Sequence, residues 1–284
     1  MDFFDLAQEV FVPDGGEPSA ALAKTTDLCI AAHQDDIEIM AYGPIAACFD
    51  DPGRFFSGCV VSNGAGSPRE GRYGKYTDGQ MKEIRISEQK NAARVGNYSA
   101  LAFIGLDSQC IKDFFDISAT DAIEELLLLV LPDTVYTHNL ADKHDTHVAV
   151  ALRVIEAAKR LPIDKRPAKV YSMEVWRGLD WLRDVDKTVF DTSPHPNLAA
   201  ALLGVYDSQI AGGKRYDSAA LGRRLANATF FESHETDGCP SLNYGLDITE
   251  LIACENEKPE EFIRRYIKNF SDEVSERLAK LARG

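Results

Sequence analysis

No Cys-x-x-Cys pair occurs in the chain; its six cysteines, at 29, 48, 59, 110, 239 and 254, are scattered. That scatter argues against a redox pair, and Cys29 and Cys59 lie inside apolar runs, so the cysteines read as small buried hydrophobes in a reducing compartment. Clusters of Lys or Arg are missing too. With 45 acidic against 31 basic residues and a net charge of -14, a nucleic-acid or anionic-membrane surface is excluded, and neutral or cationic partners are easier to accommodate. No apolar stretch is long enough to span a bilayer, and Met1-Asp2-Phe3-Phe4-Asp5 lacks a basic leader, so a cytoplasmic location is expected. Internal repeats and low-complexity tracts are absent.

What is present is a strict alternation of apolar bursts and helical patterns. The bursts run Asp27 to Ala32, Phe55 to Val61, Leu101 to Leu106, Thr134 to Thr137 and Lys169 to Trp176. Between them lie helical patterns over Ile37 to Phe49, Met81 to Val95, Ala119 to Leu131 and about His147 to Arg160. Such alternation predicts an α/β fold, a doubly wound, mostly parallel, Rossmann-like sheet with helices on both faces. With 284 residues and 45% hydrophobic content, one domain is expected, its core spanning about 25–178 and an irregular C-terminal elaboration about 179–284. In that elaboration Leu198 to Ile210 is helical in pattern. A last amphipathic helix from Pro259 carries Phe262, Ile263, Tyr266, Ile267 and Phe270 on one stripe, for core packing or a contact within a homo-oligomer.

Ligands of doubly wound sheets bind beyond the carboxyl ends of the strands. The chemically unusual residues collect there. After the first strand comes His33-Gln34-Asp35-Asp36-Ile37-Glu38, where a nucleotide-binding protein would carry Gly-x-Gly-x-x-Gly; its charges would repel a pyrophosphate. An imidazole and two carboxylates crowded together fill a core badly, but a divalent ion removes their repulsion and leaves one carboxylate free to take a proton. Capping of the following helix by Asp35 or Asp36 accounts for one carboxylate, not for all three groups. After the fourth strand, His138, His144 and His147 fall within ten residues, and the last two share a face if the helix starts there. A catalytic zinc site needs three nitrogen or oxygen ligands and one vacant position. His33, Asp36 and His147 supply the ligands, Asp35 a base, and His144 a group to stabilise an oxyanion or protonate a leaving amine.

These residues resemble the LmbE-like or PIG-L deacetylases, metal-dependent amidases that remove N-acetyl groups from amino sugars. The family's Ala-His-Pro-Asp-Asp-x-Glu is matched by Ala32-His33-Gln34-Asp35-Asp36-Ile37-Glu38, and its His-Pro-Asp-His by His144-Asp145-Thr146-His147. Arg85-Ile86-Ser87-Glu88 matches an Arg-x-x-Glu helix, so the likeness spans about residues 27–160. It implies Zn2+ or another divalent metal on His33, Asp36 and His147, Asp35 as base, and His144 facing the tetrahedral intermediate. It also implies a small N-acetylated amino sugar or glycoside as substrate. Gln34 in place of the motif's proline should cost loop rigidity without removing a ligand, and Thr146 in place of aspartate removes a carboxylate that Asp142 or Asp145 can replace.

For the sugar, Arg69, Arg72 and Tyr73 on the long Gly64 to Gly79 connection form a candidate lid, and Trp176 and Arg177 follow the fifth strand. Trp176 reads equally as core packing or as a stacking platform. Two rivals share the motifs: the same metal chemistry on another small conjugate, such as a thiol-conjugate amidase, and a noncatalytic sugar-binding relative.

Overall fold

A computed structural model describes residues 2–282. Its eight-stranded sheet comprises β1 (Glu9–Phe11), β2 (Asp27–Ala31), β3 (Phe56–Ser62), β4 (Ala100–Leu106), β5 (Thr134–His138), β6 (Lys169–Met173), β7 (Thr188–Asp191) and β8 (Leu242–Asp247), in the spatial order β1-β4-β3-β2-β5-β6-β8-β7. Strands β4, β3, β2, β5 and β6 pair in parallel, and β1, β8 and β7 add antiparallel edges. The mostly parallel, Rossmann-like arrangement is as the sequence implies. Strand order reverses between β2 and β5, which makes the gap beyond their carboxyl ends the switch point of the sheet.

Every residue of β2 is buried, which is why the run Asp27-Leu28-Cys29-Ile30-Ala31 is continuous rather than alternating in hydrophobicity. Its side chains still divide by parity: Leu28 and Ile30 join one core layer with Val135, Leu126 and Val154, while Cys29 and Ala31 join the other with Ile37, Val60 and Leu202. The two layers are the two faces of the sheet. Helices Ser118–Val130 and Asp145–Arg160 cover the first face, and Asp78–Val95 and Pro196–Gly204 the second.

Where sequence pattern suggests one helix over Ile37 to Phe49, the chain forms two, Asp36–Met40 and Tyr42–Asp50. Pro44 explains the break, because a continuous helix needs its missing N–H. The pattern from Leu198 to Ile210 also divides, into Pro196–Gly204 and Asp207–Ile210, with Tyr206 turned inward between them. The C-terminal extension is more regular than its sequence suggests, contributing β7, β8 and the helix Tyr216–Phe230. In the last helix, Pro259–Leu281, Phe262 is buried and Ile263 and Tyr266 pack on the core, but Ile267 and Phe270 are exposed. No described helix is long and apolar enough to cross a membrane, and all six cysteines are free.

The short helix Asp36–Met40 sits close on β3. A Cβ built on Gly58 would lie 2.7 Å from Ile37 Cδ1 and 3.3 Å from Leu101 Cδ1. Gly58→Ala should therefore destabilise the protein by about 1–3 kcal/mol through overpacking, seen as a lower denaturation midpoint at unchanged m-value; an unaltered midpoint would show that Ile37 yields freely.

Candidate metal centre

The turn after β2 and the turn after β5 meet at the switch point. Asp36 opens its helix, and its Oδ2 accepts the backbone N–H of His33 at 2.8 Å while lying 3.1 Å from His33 Nδ1. The same oxygen lies 3.3 Å from His147 Nε2, and His33 Nδ1 lies 3.2 Å from His147 Nε2. Three donor atoms from two distant segments thus form a nearly equilateral triangle. Donors bound tetrahedrally at zinc distances of about 2.0–2.1 Å stand roughly 3.3–3.4 Å apart, so the spacing, the two imidazoles and the carboxylate fit a zinc ion. Asp142 Oδ2 lies 3.6 Å from His147 Nδ1, the far side of the ring, as a carboxylate orienting a ligating histidine should. Asp142 also accepts the backbone N–H groups of His144 at 3.0 Å and Trp176 at 3.1 Å, tying the turns after β5 and β6 together.

Electrostatics separates the two adjacent aspartates. Burial opposes ionisation of Asp36, but the His147 and His138 imidazoles beside it outweigh burial and hold its carboxyl well below the usual range. Burial pushes Asp35 well above that range; Arg85 opposes the rise and the Asp36 charge reinforces it. A carboxylate held ionised next to one with raised proton affinity is the arrangement expected of a ligand beside a base. Asp35 occupies the left-handed region at φ 90, a strained conformation for an aspartate. It is held there by Gln89, whose Oε1 accepts the Asp35 N–H at 3.1 Å, and by Arg85 Nη2 at 3.3 Å from Asp35 Oδ2. Arg85 also donates to the Gln34 carbonyl at 2.6 Å and the Gly64 carbonyl at 3.3 Å, joining the loops after β2 and β3.

His144, at the start of Asp145–Arg160, stacks on His147 with ring centroids 4.5 Å apart and meets His33 edge-on at 5.0 Å. His138 is fully buried beneath the triangle; its Nε2 accepts the Ala32 N–H at 2.8 Å and its ring stacks on His147 at 3.9 Å. It supports the pair from below. Glu38 lies deeper, accepting from Tyr98 at 2.6 Å, Gln89 at 2.9 Å and Tyr206 at 2.5 Å, so the first motif is anchored partly by the C-terminal third. Arg224 adds to this, donating to the Glu38 and Ile39 carbonyls at 2.5 and 3.2 Å.

The triangle opens into a cleft of about 480 Å³ lined by His33, Asp35, Asp36, His144, Thr146 and Trp176, and by the loop Ser62 to Pro68. Arg69, Arg72, Tyr73 and Arg177 do not line it. Arg69 is spent on its own loop, donating to the Ala65 carbonyl at 2.7 Å and the Tyr76 carbonyl at 2.5 Å. Arg72 pairs with Asp207 and lies 4.9 Å over the Tyr73 ring, while the buried Tyr73 donates to Asp207 at 2.5 Å. Those side chains latch the connection to the helix Asp207–Ile210, and Arg177 is exposed. Trp176 does face the cleft, with Lys214 4.9 Å over its ring. Gln209 also lines the cleft, from the stretch Tyr206-Asp207-Ser208-Gln209 whose unusual polarity the sequence does show; Lys214, Tyr216 and Lys112 line it too, and nothing in their local sequence marks them, because tertiary packing alone brings them there.

The fold and this centre together place three nitrogen and oxygen donors and a buried carboxylate at the switch point of an α/β sheet. Residues 28–158 match the model of the PIG-L family, described as GlcNAc-PI de-N-acetylase. Zinc dependence is typical of that family. Over that stretch, somewhat less than half of its length, the chain is similar to the PIG-L family. No curated protein matches it by sequence. Among solved structures it is similar to N,N'-diacetylchitobiose deacetylase from Pyrococcus horikoshii, at 14% identity and TM-score 0.64 over 80% of this chain and 85% of that one. It is similar also to a conserved protein from Thermus thermophilus, at 16% identity and TM-score 0.62 over 79% and 94%. A third is the 4-carboxy-2-hydroxymuconate hydratase GalB from Pseudomonas putida, at 19% identity and TM-score 0.56 over 79% and 96%. At such identities these likenesses establish the fold.

Gln34, the residue in place of the motif's proline, is fully buried with both amide atoms unpartnered, wedged against Gly64, where a Cβ would fall 2.3 Å from its Oε1. Exchanging an unsatisfied buried amide for an apolar side chain of similar length removes a desolvation cost. Gln34→Met should stabilise the protein by about 1 kcal/mol without altering its metal content; a loss of stability on thermal melting would mean that the amide is satisfied in solution.

Proposed function

We propose that the chain hydrolyses the N-acetyl group of a small amino sugar or its glycoside, with zinc held by His33 Nδ1, Asp36 Oδ2 and His147 Nε2. The observation that carries this reading is the triangle of donors, 3.1 to 3.3 Å on a side, facing a cleft that also admits an unligated carboxylate, Asp35. When bound, the ion lowers the pKa of its water toward about 7 and polarises the amide carbonyl. Asp35 takes the water's proton as the water oxygen bonds to the carbonyl carbon, a role suited to its raised proton affinity. His144 faces the tetrahedral intermediate from the wall shared with Trp176, the two rings 6.2 Å apart. Breaking the C–N bond, with a proton returned to nitrogen, gives acetate and the free amine.

Asp142 stands in for the motif's missing aspartate at position 146, where Thr146 lines the cleft without a charge. We read residues 28–158 and the C-terminal third as one domain, since β6 and β8 share a sheet and Tyr206 and Arg224 bind the first motif. Six free cysteines fit a reducing compartment such as the cytoplasm.

Chelation should abolish hydrolysis and added zinc restore it, with acetate release from N-acetylglucosamine, its glycosides and N-acetylated thiol conjugates followed by mass spectrometry. Asp35→Asn should keep stoichiometric metal but lose about 10²–10⁴-fold in kcat. His33→Ala and His147→Ala should lose the metal itself. Full activity in Asp35→Asn would remove the base assignment, and hydrolysis confined to the thiol conjugates would move the substrate class.

A further inference from the structure

The last helix leaves an apolar face uncovered. Pro259–Leu281 is 23 residues long, about 34 Å at 1.5 Å per residue, yet Phe262, Ile263 and Tyr266, which seat it on the core, all lie near its start. Past them come Ile267, Phe270, Val274, Leu278 and Leu281, between 38% and 71% exposed. At 3.6 residues per turn these five fall within an arc of about 80°, so they form one continuous stripe. Apolar residues scattered singly over a surface need no explanation, but a contiguous patch marks a contact.

Spacing and charge together identify what covers the stripe. Its residues stand four and seven positions to either side of Val274, so the pattern is its own mirror image. A helix of that kind matches a second copy of itself run in the opposite direction: Ile267 meets Leu281, Phe270 meets Leu278, and Val274 meets itself on the two-fold axis, the isologous contact of a symmetric dimer. The chain's net charge of -14 opposes association of like copies over most of the surface, but this helix carries five acidic and five basic residues and no net charge. The half from Pro259 to Phe270 holds two acids and three bases, and the half from Ser271 to Leu281 three acids and two bases. Antiparallel alignment therefore sets the positive half of one helix on the negative half of the other, where parallel alignment sets like on like, and the helix dipoles favour the same sense. Arg277 and Glu273, paired within the helix, flank one side of the stripe; in this register Arg277 of each copy lies within one turn of Glu273 of the other. A lipid surface fits worse, because a helix lying on a membrane carries mainly Lys and Arg on its polar face, and here acids match them in number.

We propose that the stripe from Ile267 to Leu281 is a homodimer interface, in which the last helices of two copies pack antiparallel about Val274. None of its five residues lines the cleft beside the donor triangle, so the interface is independent of the reaction and stands whether or not the N-deacetylase reading does. A seam of about four turns is small beside the roughly 800 Å² per partner of a standard interface. The dimer is accordingly weak, with a dissociation constant of about 1–100 µM.

The test is sedimentation velocity of the full chain over a range from about 1 to about 200 µM, across which the wild type should pass from monomer to dimer. Val274→Asp, at an exposed position, should raise the dissociation constant more than about tenfold, with the melting temperature of the monomer unchanged. Direction and register are read by crosslinking in a Cys254→Ser background, which removes the exposed native thiol. There Ile267→Cys mixed with Leu281→Cys should give disulfide-linked dimers on mild oxidation, and Ile267→Cys alone should not. A wild type that stays monomeric throughout, a dimer that Val274→Asp leaves intact, a mixture that forms no crosslink, or Ile267→Cys crosslinking to itself overturns the proposal. A monomeric wild type that cosediments with phosphatidylcholine vesicles overturns it too, and assigns the stripe to a lipid surface.

Discussion

One carboxylate oxygen organises the centre. Asp36 Oδ2 takes the His33 N–H and stands within 3.5 Å of nitrogens on His33, His138 and His147, groups from strand ends that are adjacent only because the sheet reverses its order there. Its burial would by itself favour the neutral acid, yet the imidazoles around it keep it ionised. The consequence is reciprocal: burial and the Asp36 charge both make Asp35 harder to ionise, so two neighbouring residues of one type acquire opposite shifts in proton affinity. The strained φ of Asp35 and the buried Arg85 and Gln89 that fix it belong to the same constraint.

Much of this was legible in the chain. The five apolar runs are the five parallel strands, because a strand buried on both faces cannot hide its composition, and the clustered histidines and aspartates stand out against those runs. Elsewhere the signals failed for identifiable reasons. The helix Tyr216–Phe230 turns Arg224 and Asn227 inward, so its buried face does not look apolar. Strand β8, with sequence Leu242-Asn243-Tyr244-Gly245-Leu246-Asp247, reads as a loop because Asn243 is buried against Arg224 and Glu174. Arg69, Arg72 and Tyr73 looked like ligand contacts because a glycine-bearing loop rich in donors invites that reading; in the fold those donors satisfy the loop's own carbonyls and Asp207.

The likeness to solved proteins illustrates how far a fold can carry an argument. The same architecture underlies proteins named as deacetylases and one named as a hydratase, so the sheet does not specify the reaction. What narrows it here is local: the match of residues 28–158 to a de-N-acetylase family model, and a triangle of three donor atoms beside a buried carboxylate.

Arg224 and Tyr206 give the C-terminal third a hold on the first motif that bypasses the cleft altogether. Both reach the segment around Glu38, directly behind Asp36, and both come from elements whose neighbours, Lys214 and Tyr216, form the far wall of the cleft. The far wall of the cleft and the set of the first motif are thereby mechanically linked. A chimera that borrowed this third from a relative, intending only to reshape the cleft wall, would also exchange the grip on Glu38 and with it the seating of Asp36.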